Sequence, residues 1–252
     1  MRTIYAVIDD TGTHIFTKRR GVWSAMFVAA QETQKIKTPA FTNVVLITNS
    51  LKTAVRTSAA SVSKKQQKPD WNVVKSVFPI GDKMNEHTHI FDGKLFVNQN
   101  ETPMACFFMA AIPVYVADSI TNTAVSLFGN IHKIERIDTI EHLLFQYYVS
   151  QGKTPSEPFA VVFLQGDGLR ILHVANNLPQ SAKIISNHAE FRVSEFLRVW
   201  NSFKEDAETM PQRVVVLKMH DGNELDWLHD FFDENKIAVE EEIFDFANFI
   251  PS

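Results

Sequence analysis

Two stretches of this chain, Ile4–Thr17 and Phe159–Ala175, follow one plan: an apolar strand, a turn carrying Asp and Gly, then a second strand. They begin 155 residues apart. Self-similarity at that spacing constrains the fold strongly, because each unit buries one face only by joining a larger sheet. Two such units predict two lobes with a cleft between them, and clefts are where ligands bind.

Around the first unit the pattern is dominated by strands. Ile4–Asp9 is rich in β-formers, Asp10-Thr11-Gly12-Thr13 supplies the turn, and His14–Thr17 resumes an extended pattern. Gly21 marks another turn, and Val22–Ala30 reads as a third strand or a short helix. Val44–Ile47 reads as a strand with Leu51–Thr57 as its hairpin partner, and Asp92-Gly93 as a hairpin turn between Thr88–Asp92 and Lys94–Asn98. The polar, basic segment Ser58–Gln67, ahead of Pro69, reads as a loop or a frayed helix.

The second half is clearer. Met104–Ile112 predicts a fully buried strand, with Pro113 opening a helix that Gly129 stops. Ile134–Ile137 is a short strand. Thr139 then caps a helix whose Ile140, Leu143, Leu144, Tyr147 and Tyr148 lie on one face. Pro155 and Pro158 bracket a linker before the strand Phe159–Leu164, the turn Gly166-Asp167-Gly168 and the strand Leu169–Ala175. A helix from about Glu190 to Phe203 is expected to bury Val193, Phe196, Leu197, Trp200 and Phe203. Val214–Leu217 and Leu225–Asn235 add a strand and a helix. Hairpins mixed with strand–helix alternation call for mixed sheets with helices packed on their faces.

Composition narrows the function classes. The single cysteine, Cys106, sits in an apolar run and cannot form an internal disulfide, so nothing points to an oxidising compartment. No secretory leader and no stretch of ~20 apolar residues is evident. The end at Phe249-Ile250-Pro251-Ser252 leaves a membrane anchor beyond it open. The net charge of −4 is uneven: residues 1–100 carry +7 and residues 101–252 carry −11. Lys18-Arg19-Arg20 and Lys64-Lys65 are short and lack interleaved aromatics, which argues against nucleic-acid binding. His87 and His89 could share one strand face as metal ligands do, yet no cysteine cluster supports them, so no metal site is expected. The sequence contains no Walker loop, no Gly-x-Ser-x-Gly elbow and no His-Glu-x-x-His motif. Trp227, Phe231, Phe232, Phe244, Phe246 and Phe249 give the C-terminal stretch, with its acids Glu240–Glu242 and Asp245, the character of a docking edge or of a lead into a further segment.

Ile8-Asp9-Asp10-Thr11-Gly12-Thr13 resembles the Asp-x-Gly-Thr phosphate loop of the actin, sugar kinase and Hsp70 superfamily. Such a loop lets backbone amides approach a phosphate while a hydroxyl and a carboxylate serve phosphate and metal. Within that superfamily the order of elements is most similar to PilM of type IV pilus assembly and to the cytoplasmic domain of GspL in type II secretion. Phe107–Tyr148, with Ala110-Ala111-Ile112-Pro113, resembles the segment joining the two lobes of PilM. The resemblance implies an α/β, two-lobed actin-like (ribonuclease H-like) fold with mixed sheets and helices on both faces. A first lobe would cover residues 1–138, with a small inserted subdomain at about 38–103; a second would cover 139–252.

By the same resemblance Asp10, Gly12, Thr13, Asp167, Gly168 and Gly222 are the residues nearest a nucleotide. The pattern departs from the family in two places. Gln165-Gly166-Asp167-Gly168-Leu169 lacks the Asp-x-Gly of the second phosphate loop, and His220-Asp221-Gly222-Asn223 holds one glycine where the adenosine loop has paired ones. Phosphoryl transfer needs nearly complete positioning of phosphate and metal, so no catalytic residue and no cofactor are expected, Mg-ATP being the one the resemblance admits. Taken alone, Asp10-Thr11-Gly12-Thr13 is an ordinary β-turn. The resemblance then implies a scaffold at the cytoplasmic face of an inner-membrane pilus or secretion platform, binding a membrane-anchored partner or an assembly ATPase, with a homodimer also in view. The alternative is a divergent actin-like ATPase or kinase, with Asp10 or Asp9 near the metal, Thr13 on phosphate and Gly222 beside the base.

Overall fold

The computed structural model describes residues 2–9, 11–19, 22–32, 35–38, 42–60, 68–98, 104–129, 131, 133–150, 157–165, 168–186, 191–203, 208–218 and 226–245. In chain order the first elements are β1 (Arg2–Ile8), β2 (Gly12–Arg19), β3 (Val22–Ala29), β4 (Thr42–Thr48), β5 (Ala54–Ala60), α1 (Trp71–Val77), β6 (His89–Asn98) and β7 (Met104–Pro113). There follow α2 (Val114–Phe128), β8 (Lys133–Thr139), α3 (Ile140–Ser150), β9 (Phe159–Gln165), β10 (Gly168–Ala175) and β11 (Leu178–Ser186). The last are α4 (Arg192–Phe203), β12 (Arg213–Lys218), α5 (Asp226–Glu234) and β13 (Ala238–Ile243).

The repeat seen in the sequence recurs in the topology. One five-stranded sheet runs β3-β2-β1-β4-β8 and the other β11-β10-β9-β12-β13. In both, two antiparallel pairings lead into two parallel ones. The parallel centres explain the continuous apolar runs. All seven residues of β4 are buried, as a strand covered on both faces requires.

Alternation along the strands sorts side chains into separate cores. Ile4, Ala6, Ile8, Val44 and Leu46 pack under Ile120, Ala124, Leu127 and Phe128 of α2. Val7, Val45 and Ile47 point the other way, onto Ile140, Leu143 and Leu144 of α3. Val161, Phe163, Leu172, Val174, Val215 and Leu217 of the second sheet close over the same helix. The outer face of that sheet packs Ala160, Val162, Val214 and Val216 against Phe196, Val199 and Trp200 of α4 and Leu228 and Phe232 of α5.

Thus α3 is the shared middle layer between the two sheets. Its Thr139 cap is formed, the hydroxyl accepting from His142 N at 3.3 Å. Its burial exceeds the single apolar face expected from the sequence: Glu141 and His142 are also buried, at 2% and 7% exposure, because sheets cover opposite sides. Leu143, Leu144 and Phe145, at 1% or less, each contribute roughly 1.5–3 kcal/mol of burial.

A third, small sheet runs β5-β7-β6, all antiparallel. It corrects two expectations. β5 pairs with β7 and not with β4, whose two sides are already taken by β1 and β8. Asp92-Gly93 is not a hairpin but the middle of β6. The Asp92 carboxylate accepts the Gly93 N–H, and a Cβ on Gly93 would come within 2.5 Å of the Pro69 ring, so the glycine serves close packing and not a turn. Phe107, Met109 and Ala111 of β7 face Val74 of α1, while Phe108, Ala110 and Ile112 face the central core. Pro113 caps α2, and Gly129 ends it at φ 64° with its N–H on Val125 O.

Smaller differences have equally local causes. The Val22–Ala30 alternative resolves as a strand paired to β2. Val193 is 47% exposed because the buried face of α4 is Phe196-Val199-Trp200-Phe203. Phe232 and Phe244 are buried and Trp227 and Phe231 pack partly into the core, so these four do not form an aromatic surface; Phe246 and Phe249 lie outside the described residues. Among the described residues no helix is long and apolar enough to cross a membrane.

Candidate functional site

The first turn is closed from within. Asp9 Oδ1 accepts from Thr11 N (2.8 Å), the Thr11 hydroxyl (2.6 Å) and Gly12 N (3.1 Å). An Asp side chain binding the backbone two and three residues on is the mechanism of an Asx turn. Gly12 opens β2 with β3 lying over it: a Cβ there would sit 2.3 Å from the Val28 carbonyl oxygen and 2.8 Å from the Phe27 ring. Thr13 is 2% exposed, within the β1-β2-β3 sheet. Asp10 lies outside the described residues.

Asp167 is also outside the described residues, and the strand that follows it is covered at its start by the first half of the chain. Gly168 opens β10, and a Cβ on it would lie 2.0 Å from Leu51 Cδ2, just beyond β4. Two residues on, Arg170 is 0% exposed. Its Nε donates to Glu141 Oε1 at 2.8 Å and its Nη2 to the Asn49 carbonyl at 2.6 Å. One guanidinium thereby ties β10 to the first turn of α3 and to the end of β4. Glu141 stands where a helix N-terminus favours an anion. Gly222, expected beside the base, lies outside the described residues. The structure therefore places Gly12, Thr13 and Gly168 at the starts of β2 and β10, and each is covered by protein.

Further bonds join the small sheet to the second large one. Asn98 Nδ2 donates to the Asn176 carbonyl at 2.6 Å, Cys106 Sγ to the Pro179 carbonyl at 3.1 Å, and the Thr57 hydroxyl to the Gln180 carbonyl. Asn176 and Asn177, at φ 53° and 56°, form the two-residue turn between β10 and β11. Asparagine tolerates this left-handed conformation, so Asn-Asn between two strand patterns was the available signal for β11. Burial pushes the Cys106 thiol up to about 11, the Ser58 backbone opposing it.

A separate polar groove lies where β6 of the small sheet meets the end of β8 and the start of α3. It is lined by Asp92, Lys94, Phe108, Ile137, Asp138 and His142, among others, around a cavity of about 10 Å³, room for roughly one water. Asp138, 3% exposed, receives the Arg136 Nε at 2.6 Å and has His142 Nδ1 at 3.2 Å. Lys94 Nζ stands between Asp92 (3.5 Å) and Asp138 (4.0 Å). Burial alone raises the Asp138 carboxyl; contact with His142 and Arg136 outweighs it and holds the group well below the usual carboxylate range. The sequence offered no motif for this cluster, because its members come from three elements. Among the described residues no group of three or more His, Cys, Asp or Glu side chains is placed to hold a metal. His87 is exposed in a turn and the His89 Nδ1 lies 2.9 Å from the Thr88 hydroxyl.

The doubled sheet order, the helix shared between the sheets and the small sheet inserted between β4 and β8 define an actin-like ATPase fold. PilM in the PilM–PilN type IV pilus biogenesis complex has this fold: 9% identity, 96% of this chain and 88% of that one covered, TM-score 0.63. A Bacteroides thetaiotaomicron protein described as having an actin-like ATPase fold and unknown function matches at TM-score 0.56, with 9% identity over 96% of this chain and 90% of that one. The cytoplasmic domain of EpsL, an inner-membrane component of the Vibrio cholerae type II secretion system, aligns at TM-score 0.47 with 6% identity, covering 86% and 82%. No family model matches the chain, and no curated protein matches it in sequence.

Proposed function

We propose that this protein is a non-catalytic scaffold of a bacterial type IV pilus or type II secretion assembly platform, working at the cytoplasmic face of the inner membrane. It holds an extended segment of a membrane-anchored partner or of the assembly ATPase. The fold likeness to PilM, a protein solved in complex with PilN, supports the class of role. The observation that carries the docking mechanism is the groove between β6 and β8. Each of these is the edge strand of its sheet, and Asp92, Lys94 and Asp138 lie between them. The cavity among them has room for roughly one water, so the partner segment lies across the rim of the two strands, where Asp92 and Lys94 select it by charge.

In this reading the nucleotide site is degenerate, and Asp10, Gly12, Thr13, Asp167, Gly168 and Gly222 do not hold Mg-ATP. The described parts of the two turns do not fit a triphosphate. The Asp9 carboxylate is bonded to its own turn, the Gly12 Cα is covered by Phe27 and Val28, Thr13 is buried, and Leu51 lies on Gly168.

Two measurements test the proposal. A pull-down with the native chain is expected to recover membrane or motor components of a secretion system, and Lys94→Glu to weaken that recovery; capture of metabolic enzymes alone would overturn the scaffold role. Melting with millimolar Mg-ATP is expected to show no shift, whereas a ligand at 100 times its dissociation constant adds ~2.7 kcal/mol of apparent stability.

A further inference from the structure

The six sheet-edge strands among the described residues are β3, β8, β5, β6, β11 and β13. Proteins normally protect such edges with charged residues, prolines or bulges. β5 carries Arg56, β6 Asp92 and Lys94, β11 Pro179 and Lys183, β8 four charged residues, and β13 three glutamates. β3, Val22-Trp23-Ser24-Ala25-Met26-Phe27-Val28-Ala29, has no charge and no proline. Its Val22, Met26 and Phe27 are 70%, 40% and 49% exposed.

We propose that β3 is a homodimer edge: two copies of the chain pair antiparallel through β3 about a two-fold axis at Ala25, joining their first sheets into one. The hydrogen-bond pattern fixes which residues take part. Ala30 N bonds the Thr11 carbonyl, so alternate residues along β3 face β2 and Trp23, Ala25 and Phe27 turn their N–H and C=O outward. A two-fold axis at Ala25 sets Trp23 opposite Phe27 of the second copy, and the small Ala25 side chains meet at the axis.

Charge selects the second copy as the occupant. The β2–β3 pair has Lys18 and Arg19 at one extremity, beside Val22 and Trp23. At the other extremity, beyond Gly12 and Ala29, stand Asp9 and Glu32. Antiparallel pairing sets the basic end of each copy against the acidic end of the other, twice by symmetry. Parallel pairing would stack like ends.

The test is the oligomeric state of the intact chain, by light scattering after size exclusion and by cross-linking. The wild-type protein is expected at twice the monomer mass, dissociating as salt is raised. Ala25→Pro removes the outward N–H from both copies and Ala25→Lys sets two charges at the axis; each should raise the dimer dissociation constant about tenfold or more. Circular dichroism should be unchanged in both, because that N–H makes no bond to β2, and their melting should fall below the wild type only at concentrations where the wild type is dimeric, converging with it on dilution. Directly opposed residues of a bonded pair have Cα atoms ~5.5 Å apart, within disulfide range. Ala25→Cys should therefore oxidise to a covalent dimer while Val239→Cys, on the glutamate-bearing edge, does not. A wild-type monomer at millimolar concentration, a dimer indifferent to Ala25→Pro and Ala25→Lys, or an Ala25→Cys protein that does not cross-link would each overturn the proposal. None of these outcomes depends on the scaffold role.

Discussion

Replacing Arg170 with methionine keeps an unbranched stem and removes the guanidinium with its charge. Arg170 is 0% and Glu141 2% exposed, so the replacement strands a carboxylate in the layer between the two sheets and leaves the Asn49 carbonyl without its donor. Breaking a buried pair in this way destabilises by about 3–5 kcal/mol. In a chain of this size that lowers Tm by roughly 6–20 °C. The same physics sets the sign for the double variant. Arg170→Met with Glu141→Leu removes both charges from the interior, and desolvation no longer opposes folding. Its stability should return to within ~1 kcal/mol of the wild type or exceed it. Urea unfolding followed by circular dichroism, with both single variants and the double, completes the cycle. The reasoning fails if Arg170→Met loses under ~1 kcal/mol, or if the double variant is no more stable than the worse single one.

Three further outcomes follow from the same geometry. Gly12→Ala should destabilise by ~1–3 kcal/mol, since its Cβ meets the Val28 carbonyl at 2.3 Å, whereas Gly168→Ala should be milder because its contact is the flexible end of Leu51; chemical denaturation ranks them. The Cys106 thiol, pushed up to about 11 by burial, should resist thiol reagents at pH 8 in the folded protein and react at once in denaturant, as a spectrophotometric thiol assay will report. The folded pKa of Asp138 lies below its unfolded value, so it adds stability above pH ~4 that fades as the pH falls further; Asp138→Asn should be less stable at pH 7, with the gap narrowing in acid in urea titrations.

Strands that cross a buried sheet centre were plain in the sequence. Val44–Ile47 and Phe159–Leu164 are unbroken apolar runs, and burial on both faces demands that. Asp92-Gly93 reads as a hairpin yet folds as mid-strand because glycine answers to two physical demands. Local turn chemistry is visible along the chain, but the approach of Pro69 over β6 is a long-range contact. The pairing of β5 failed similarly, since adjacency in sequence favours a hairpin until both sides of β4 are claimed by β1 and β8. Of the site, the turn residues Gly12 and Gly168 could be named, but not what covers them. Arg170 sits in a strand pattern as an isolated polar residue, and only its meeting with Glu141 and Asn49, 29 and 121 residues away, gives it a role.

The helix between the two sheets also sets an order of events during synthesis. Until α3 has been made, Val7, Val45 and Ile47 have no helix to lie against, and their far cover arrives only with β12, about 100 residues after β7. At ribosomal speeds of roughly 5–20 residues per second this apolar surface stays wet for several seconds. The nascent first half is therefore a natural client for a chaperone, and translation that stalls before residue 140 should yield an aggregating fragment and not a stable half-protein.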